Sequence, residues 1–333
     1  MRTHISGDWR PTASLEVLKQ RARMLASIRA FFSERGVLEV ETPCLSAAAT
    51  PDPALLSFTT RYTGPLFAHG QTLYLHTSPE FPMKRLLAAG SGSIYQVCRV
   101  FRDGEAGRVH NPEFTLLEWY RTDFDSVQLM AEVEALVRRL LHEHIMLAPS
   151  EKLSYREAFQ RHTNLDPHMA TAQDFAQVAR AHEIHAPPEM LTHADVGIWR
   201  DLLLTHLIEP RLGQGRLTFL YDYPASQASL ARVRPGSPPL AERFELYVKG
   251  IELANGFHEL ADASEQRTRF ERQLHARLVT GRPAVELDEN LLAALANGLP
   301  DCSGVALGID RLVMLASDAR SISEAIAFPL DRA

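Results

Sequence analysis

Residues 242 to 260, Glu-Arg-Phe-Glu-Leu-Tyr-Val-Lys-Gly-Ile-Glu-Leu-Ala-Asn-Gly-Phe-His-Glu-Leu, constrain the fold more than any other stretch. Aromatic and aliphatic residues alternate along two strands, 244 to 248 and 251 to 253, with Lys249-Gly250 as the turn between them. So short a turn demands antiparallel strands. In that register Tyr247 faces Glu252, and Glu245 is the diagonal neighbour of Glu252 on the same side of the sheet. Two carboxylates so placed repel unless a cation lies between them, which suggests a Mg2+ site. Taken alone, the pair is more often the solvated face of an edge hairpin.

A second hairpin spans residues 94 to 120. One strand ends at Arg102, and the chain returns as another from 113 to 120. The loop between them carries Asp103, Gly104, Glu105, Arg108, His110 and Asn111. Arg108 and His110, with Arg102 at the base, make a phosphate site that closes over an anion; an ordinary surface hairpin is the alternative. Before it, residues 15 to 32 form an amphipathic helix with Leu18, Leu25, Ile28 and Phe32 on one face, Ser14 as N-cap and Gly36 as stop. The strand 37 to 41 follows, ended by Pro43; helix and strand either pack inside the domain or form a dimer interface. His76-Thr77-Ser78-Pro79-Glu80 opens a helix carrying Met83, Leu86 and Leu87, with Ser78 as its N-cap.

Asp125 or Ser126 caps a helix bearing Leu129, Val133, Leu136 and Leu140. Residues 150 to 215 hold several amphipathic helices and the Pro187-Pro188 break, and read as a helical insertion whose His182, His185 and His193 are surface residues. A strand at 217 to 221 and a loop at 233 to 239 precede the opening hairpin. Beyond it come a helix over 264 to 278 closed by Gly281, a shorter one over 290 to 295, and a strand turning into a helix over 304 to 315, with Arg311 in its first turns.

The Gly-rich junction before Arg311 matches neither Gly-x-Gly-x-x-Gly nor Gly-Lys-Ser/Thr, and no alternating strand–helix units precede it. No Gly-x-Ser-x-Gly elbow occurs either. With 333 residues, a net charge of -6 argues against broad binding of a polyanion. Three cysteines, Cys44, Cys98 and Cys302, make no Cys-x-x-Cys spacing and fit a reducing compartment. The first eight residues lack a signal-peptide core, and no run of about 18 apolar residues appears, so a soluble cytoplasmic protein is expected.

Together these stretches resemble the catalytic domain of class II aminoacyl-tRNA synthetases, whose three motifs occur here in order, at about 14–43, 94–120 and 304–316. Within that class the chain is similar to lysyl-tRNA synthetase through Arg108, His110, Asn111, Pro112, Glu113 and Phe114, and through Ile-Glu-Leu-Ala-Asn-Gly-Phe-His-Glu-Leu at 251 to 260. The first motif begins too early to leave room for an anticodon-binding domain. This points away from tRNA and towards the shortened paralogue family of elongation factor P β-lysine ligases. Those enzymes attach (R)-β-lysine to a lysine ε-amino group of elongation factor P.

The resemblance implies an α+β fold, mainly antiparallel sheet flanked by helices, in one catalytic domain over 1–333. It implies that (R)-β-lysine or lysine is activated by ATP and Mg2+ as an acyl-adenylate, then passed to elongation factor P by a homodimer with no membrane role. Arg102 would hold the α-phosphate and the substrate carboxylate, and Arg311 the γ-phosphate, covering one face of adenine with Phe114 on the other. Arg108 and His110 would close on the triphosphate tail, Asn111 would contact the nucleotide, and Asp103, Gly104, Glu105, Leu246 and Gly308 would line it. Glu245 and Glu252 would bind Mg2+. Glu80, beside Ser78 and Pro79, would take the amine near the carboxylate. Glu118, Tyr120 and Glu259 would take the distal ammonium, with Asn255, Phe257, Glu252 and Ala306 shaping the pocket.

For Asn255, Phe257 and Glu259 to share the face of Glu252, a bulge near 254 to 256 is needed, which Gly256 would supply. Two departures stand out: Gly104 lies where the family carries Glu, with Glu105 one position on, and Ala306 lies where lysyl-tRNA synthetases have Gly. A truncated lysyl-tRNA synthetase acting on tRNA and a catalytically dead amino-acid-binding regulatory subunit are the competing expectations.

Overall fold

The computed structural model describes residues 9–186 and 195–333; the eight N-terminal residues, the Pro187-Pro188 break and His193 lie outside them. The chain divides into two compact units, residues up to Asp123 with Ala261–Ala333, and Phe124–Leu260.

The first unit begins with α1 (Leu15–Ser33), where the Ser14 hydroxyl accepts from the Val17 amide and Gly36 closes the end at φ +63°. The buried stripe is Gln20, Met24, Ile28, Phe31 and Phe32, while Leu18 and Leu25 are only half-buried. Aromatic anchoring sets this rotation: Phe32 stacks on Tyr95 at 4.4 Å and meets Trp119 edge-on at 5.4 Å. The strand after α1 is shorter than expected, β1 (Leu38–Glu39). A small sheet follows, β2 (Leu45–Ser46), β3 (Thr59–Tyr62) and β4 (Gln71–Leu75), in the order β2-β4-β3. Helix α2 (Glu80–Ala88) has Pro79 at its cap and no side-chain cap; the Ser78 hydroxyl accepts instead from the Glu80 amide at 3.1 Å. The hydroxyl therefore shapes the turn before the helix rather than capping it. β5 (Ile94–Phe101) runs parallel to β1 and antiparallel to β6 (Glu113–Thr122).

The second unit opens with α3 (Ser126–Leu141), started by a reciprocal capping box between Asp125 and Gln128. The expected insertion contains β7 (Ala148–Ser154), α4 (Tyr155–Thr163), α5 (Ala172–Ala181) and α6 (Val196–Leu203), packed on Phe159, Phe175, Trp199, Leu203 and Ile208. His182 and His185 are exposed. β8 (Arg216–Pro224) follows, and β9 (Val233–Arg234) turns part of the expected loop into strand by pairing with β10 (Leu240–Val248). β10 lies between β8 and β11 (Ile251–His258), antiparallel to both, and β7 runs parallel to β8.

Lys249 and Gly250 both take positive φ, +50° and +73°, as a two-residue hairpin turn of this hand requires. Tyr247 is opposite Glu252, as the spacing implies. The bulge is present but falls elsewhere: Leu246 pairs with Ala254 and Tyr247 with Glu252, so Leu253 is the extra residue and Gly256 pairs regularly with Phe244. No glycine is needed there because Leu253 keeps negative φ and drops its side chain into the core.

The chain returns to the first unit through α7 (Ala263–Val279), stopped by Gly281 at φ +72°, and α8 (Glu289–Gly298), capped by Asp288. β12 (Cys302–Gly308) then pairs antiparallel with β6 and leads directly into α9 (Ile309–Ala316). In this unit the sheet order is β1-β5-β6-β12, and with the second unit's strands the sheets are mostly antiparallel and flanked by helices.

Candidate active site

Strand pleating in the first unit gathers the expected residues on one face. Gln96 of β5, Glu118 of β6 and Ala306 of β12 lie opposite one another in a row, with Ile94, Tyr120 and Gly304 in the next row and Cys98, Leu116 and Gly308 in the row on the other side. Phe114, Glu118, Tyr120, Ala306 and Gly308 therefore face one way. The intervening Trp119 turns the other way, towards Phe32 of α1. Glu118 is 3% exposed and accepts a 2.7 Å hydrogen bond from the Tyr120 hydroxyl. Its charge reaches Cys98, whose thiol is pushed up to about 12 by burial, then by Glu118 and Cys44. This row is a low-dielectric anionic floor suited to an ammonium group.

At the end of β5, the Arg102 guanidinium lies 5.1 Å from the Phe114 ring centroid, donates to the Thr77 carbonyl at 3.4 Å and sits 3.6 Å from Glu105. Glu105, and not the exposed Gly104, is thus the acidic group beside it. Arg311 lies on α9. It donates to the Val109 carbonyl at 3.3 Å and reaches His110 Nε2 at 2.7 Å. Burial, Arg311 and Arg102 lower the His110 pKa against the pull of Glu105, so the neutral ring accepts from Arg311. His110 thereby orients the arginine rather than adding a positive charge for phosphate. Asn111 uses its amide inside the protein, donating to the Glu113 carbonyl at 2.7 Å and accepting from the Leu330 amide at 3.2 Å. Asp103, Gly104 and Arg108 are exposed on the loop.

Glu80 and Lys84 form a 2.6 Å ion pair one helical turn apart on α2, and Lys84 is 1% exposed. The carboxylate expected to meet a substrate amine thus already carries one resident ammonium. Beneath the nucleotide-side residues lies a buried knot that joins the three distant motifs. Asp310 of α9 accepts from the Thr115 amide of β6 at 2.7 Å and from Arg21 of α1, whose other guanidinium nitrogen donates to the Thr115 hydroxyl at 2.6 Å. Arg311 and Phe114 are the sequence neighbours of Asp310 and Thr115, so the knot sets the backbone that presents them.

In the second unit, Arg243, Glu245, Glu252, Asn255 and Phe257 share a face, because Glu245 is opposite Asn255 and Arg243 opposite Phe257. Glu245 is closely held: Oε1 accepts from Arg243 at 2.5 Å, and Oε2 from the Tyr223 and Tyr247 hydroxyls at 2.6 and 2.5 Å. Burial and then Glu245 drive both tyrosines well above their ordinary pKa. Arg243 also donates to Asn255 Oδ1 at 3.2 Å and to the Gln227 carbonyl at 2.9 Å. Glu259 is 2% exposed. Leu246 is fully buried on the opposite side of β10, leaving only its backbone to meet a nucleotide.

Among the described residues no cluster of three or more His, Cys, Asp or Glu could hold a metal alone. Two carboxylates on one face suit Mg2+, which takes one or two carboxylates and completes its octahedron with water and phosphate oxygens. The site residues that sequence reasoning passed over are Arg243, Tyr223, Tyr247, Lys84, Arg21 and Asp310. Arg243 had a signal: it lies two residues before Glu245 and so on the same strand face.

The signature of the family described as tRNA synthetases class II (D, K and N) matches residues 3–332. An elongation factor P–(R)-β-lysine ligase of Klebsiella pneumoniae (strain 342) is 52% identical over 328 residues, covering 98% of this chain and 99% of that one. Ligases of the same name from Salmonella paratyphi B and Salmonella heidelberg show the same identity and coverage.

Proposed function

The chain belongs to the class II tRNA synthetase family of the D, K and N type, and from that premise we propose that it activates (R)-β-lysine with ATP and ligates it to elongation factor P. The carrying observation is 52% identity across essentially the full length of ligases with that name. The substrate carboxylate attacks the α-phosphate and pyrophosphate leaves; a lysine ε-amino group of the factor then attacks the acyl carbon of the mixed anhydride, forming the amide and releasing AMP and a proton. This chemistry asks the protein for positioning and charge neutralisation rather than a nucleophile.

In this reading Arg102 holds the reacting carboxylate and the α-phosphate, and its place between Phe114 and Glu105 fits an arm that shifts onto ligand. Arg311, braced by neutral His110, holds the terminal phosphate, and Arg108 approaches from the exposed loop. Glu118, with the Tyr120 hydroxyl on it, takes the distal ammonium; Glu80, already paired with Lys84, meets the amine near the carboxylate. Glu245 and Glu252 hold Mg2+, which when bound draws charge from the phosphates. A homodimer through α1 and the segment after it is part of the proposal, supported by the exposed Leu15, Leu38 and Leu45. Among the described residues no helix is long and apolar enough to cross a membrane, and we place the reaction in the cytoplasm, where translation factors are found.

The test is ATP–pyrophosphate exchange with (R)-β-lysine and with α-lysine, followed by mass spectrometry of elongation factor P. A gain of one lysyl unit on the factor is expected. Aminoacylated tRNA with an unmodified factor would overturn the assignment.

A further inference from the structure

Arg243 is placed as no simple metal site would place a cation. Its guanidinium is 2.5 Å from Glu245 Oε1, lies 4.5 Å from the Tyr223 ring centroid, and is anchored on Asn255 and the Gln227 carbonyl. It stands on the strand face that also carries both carboxylates that would bind the metal. With two hydroxyls also donating to Oε2, Glu245 meets any incoming cation with three of its roughly four acceptor positions engaged.

We propose that Arg243 is a built-in counter-ion that closes the Glu245–Glu252 pair to free divalent cations, so that the metal enters only with nucleotide phosphates. With Arg243 on Oε1 and two hydroxyls on Oε2, Glu245 offers a divalent cation neither an uncompensated charge nor an open pair of oxygens, too little to draw Mg2+ out of its water shell. A triphosphate supplies the missing negative charge and several ligand oxygens. Asn255 rides on the same guanidinium, so metal entry is coupled to the side chain expected to shape the amino-acid pocket. This deepens the proposed function and rests on the assignment of Glu245 and Glu252 to the metal.

The probe is Mn2+, followed by electron paramagnetic resonance on the whole protein with and without ATP. Wild-type protein is expected to bind Mn2+ weakly without nucleotide. Arg243→Gln, which keeps a hydrogen-bonding amide beside Asn255, is expected to gain one nucleotide-independent site at least tenfold tighter, and Glu252→Gln in that background is expected to remove it. A folded Arg243→Gln with no gain in free-Mn2+ affinity overturns the proposal, as does tight nucleotide-free binding by wild type. Tyr247→Phe is the second variant: by withdrawing one donor from Oε2 it should strengthen free-Mn2+ binding in the same direction without touching the ion pair, and no change in both variants also counts against the idea. If Glu245→Gln and Glu252→Gln leave Mn2+ binding with ATP intact, the metal assignment itself has failed, independently of Arg243.

Discussion

Replacing Arg21 by Met isolates the knot beneath the nucleotide-side residues. Asp310 is 1% exposed, and Arg21 and the Thr115 amide are its two donors. Removing the guanidinium leaves a buried carboxylate to a single amide, and breaking a buried pair in this way costs about 3–5 kcal/mol. At roughly 2–4 °C per kcal/mol for a unit of this size, the midpoint should fall by about 10 °C. Urea unfolding followed through Trp119, which packs on α1 through Phe32, reads the loss where it occurs. The double variant Arg21→Met/Asp310→Asn removes both charges while keeping an acceptor for the Thr115 amide, and should recover to within about 1–2 kcal/mol of wild type. Below the melting range, Arg21→Met should raise KM for ATP more than KM for the amino acid, because Phe114 and Arg311 flank Thr115 and Asp310. A loss under about 1 kcal/mol, or an equal rise in both KM values, would refute the argument that this pair is desolvated and sets the nucleotide residues.

The Arg311–His110 contact should depend on pH. The folded-state pKa of His110 is lowered from 6.5, so the contact contributes fully above that value and is lost as pH falls below it towards the lowered pKa; ATP affinity should drop over that window, and His110→Gln, which keeps an acceptor, should flatten the profile. Ala306 faces Glu118 across β12 and β6. Ala306→Gly removes one methyl from the pocket wall, worth about 1–3 kcal/mol of discrimination, and should raise the kcat/KM ratio of α-lysine over (R)-β-lysine by about tenfold in pyrophosphate exchange. Gly213 has φ +70°, and a Cβ there would stand 2.5 Å from the Tyr247 carbonyl oxygen and Val248 Cα. Gly213→Ala should cost about 2–4 kcal/mol by thermal unfolding, combining left-handed strain with overpacking.

Both hairpins, the long helices and the caps Ser14 and Asp125 were legible because each is written locally: alternation at period two, a two-residue turn, a Ser or Asp at a helix start. The face shared by Phe114, Glu118 and Tyr120 was also legible, since they lie two or four residues apart on one strand. What could not be read was pairing over distance. Arg21 and Asp310 are 289 residues apart, and nothing near either predicts the other. The engagement of Glu245 by Tyr223 depends on strand order, which composition does not carry. Lys84 was within reach, one helical turn from Glu80, but a lysine on a helix usually points to water, and only packing shows that this one does not.

The extra residue at Leu253 changes how β11 is written. Up to Glu252 the outward side chains sit at even positions, and from Asn255 onward at odd ones, so the strand carries two phases of one period-two code joined by the consecutive buried pair Leu253-Ala254. A polar-substitution scan should therefore be tolerated at one parity before the joint and at the other after it. Deleting either member of that buried pair should keep every later side chain on its face, whereas deleting one residue between 255 and 258 with the bulge retained should turn the residues beyond it inside out.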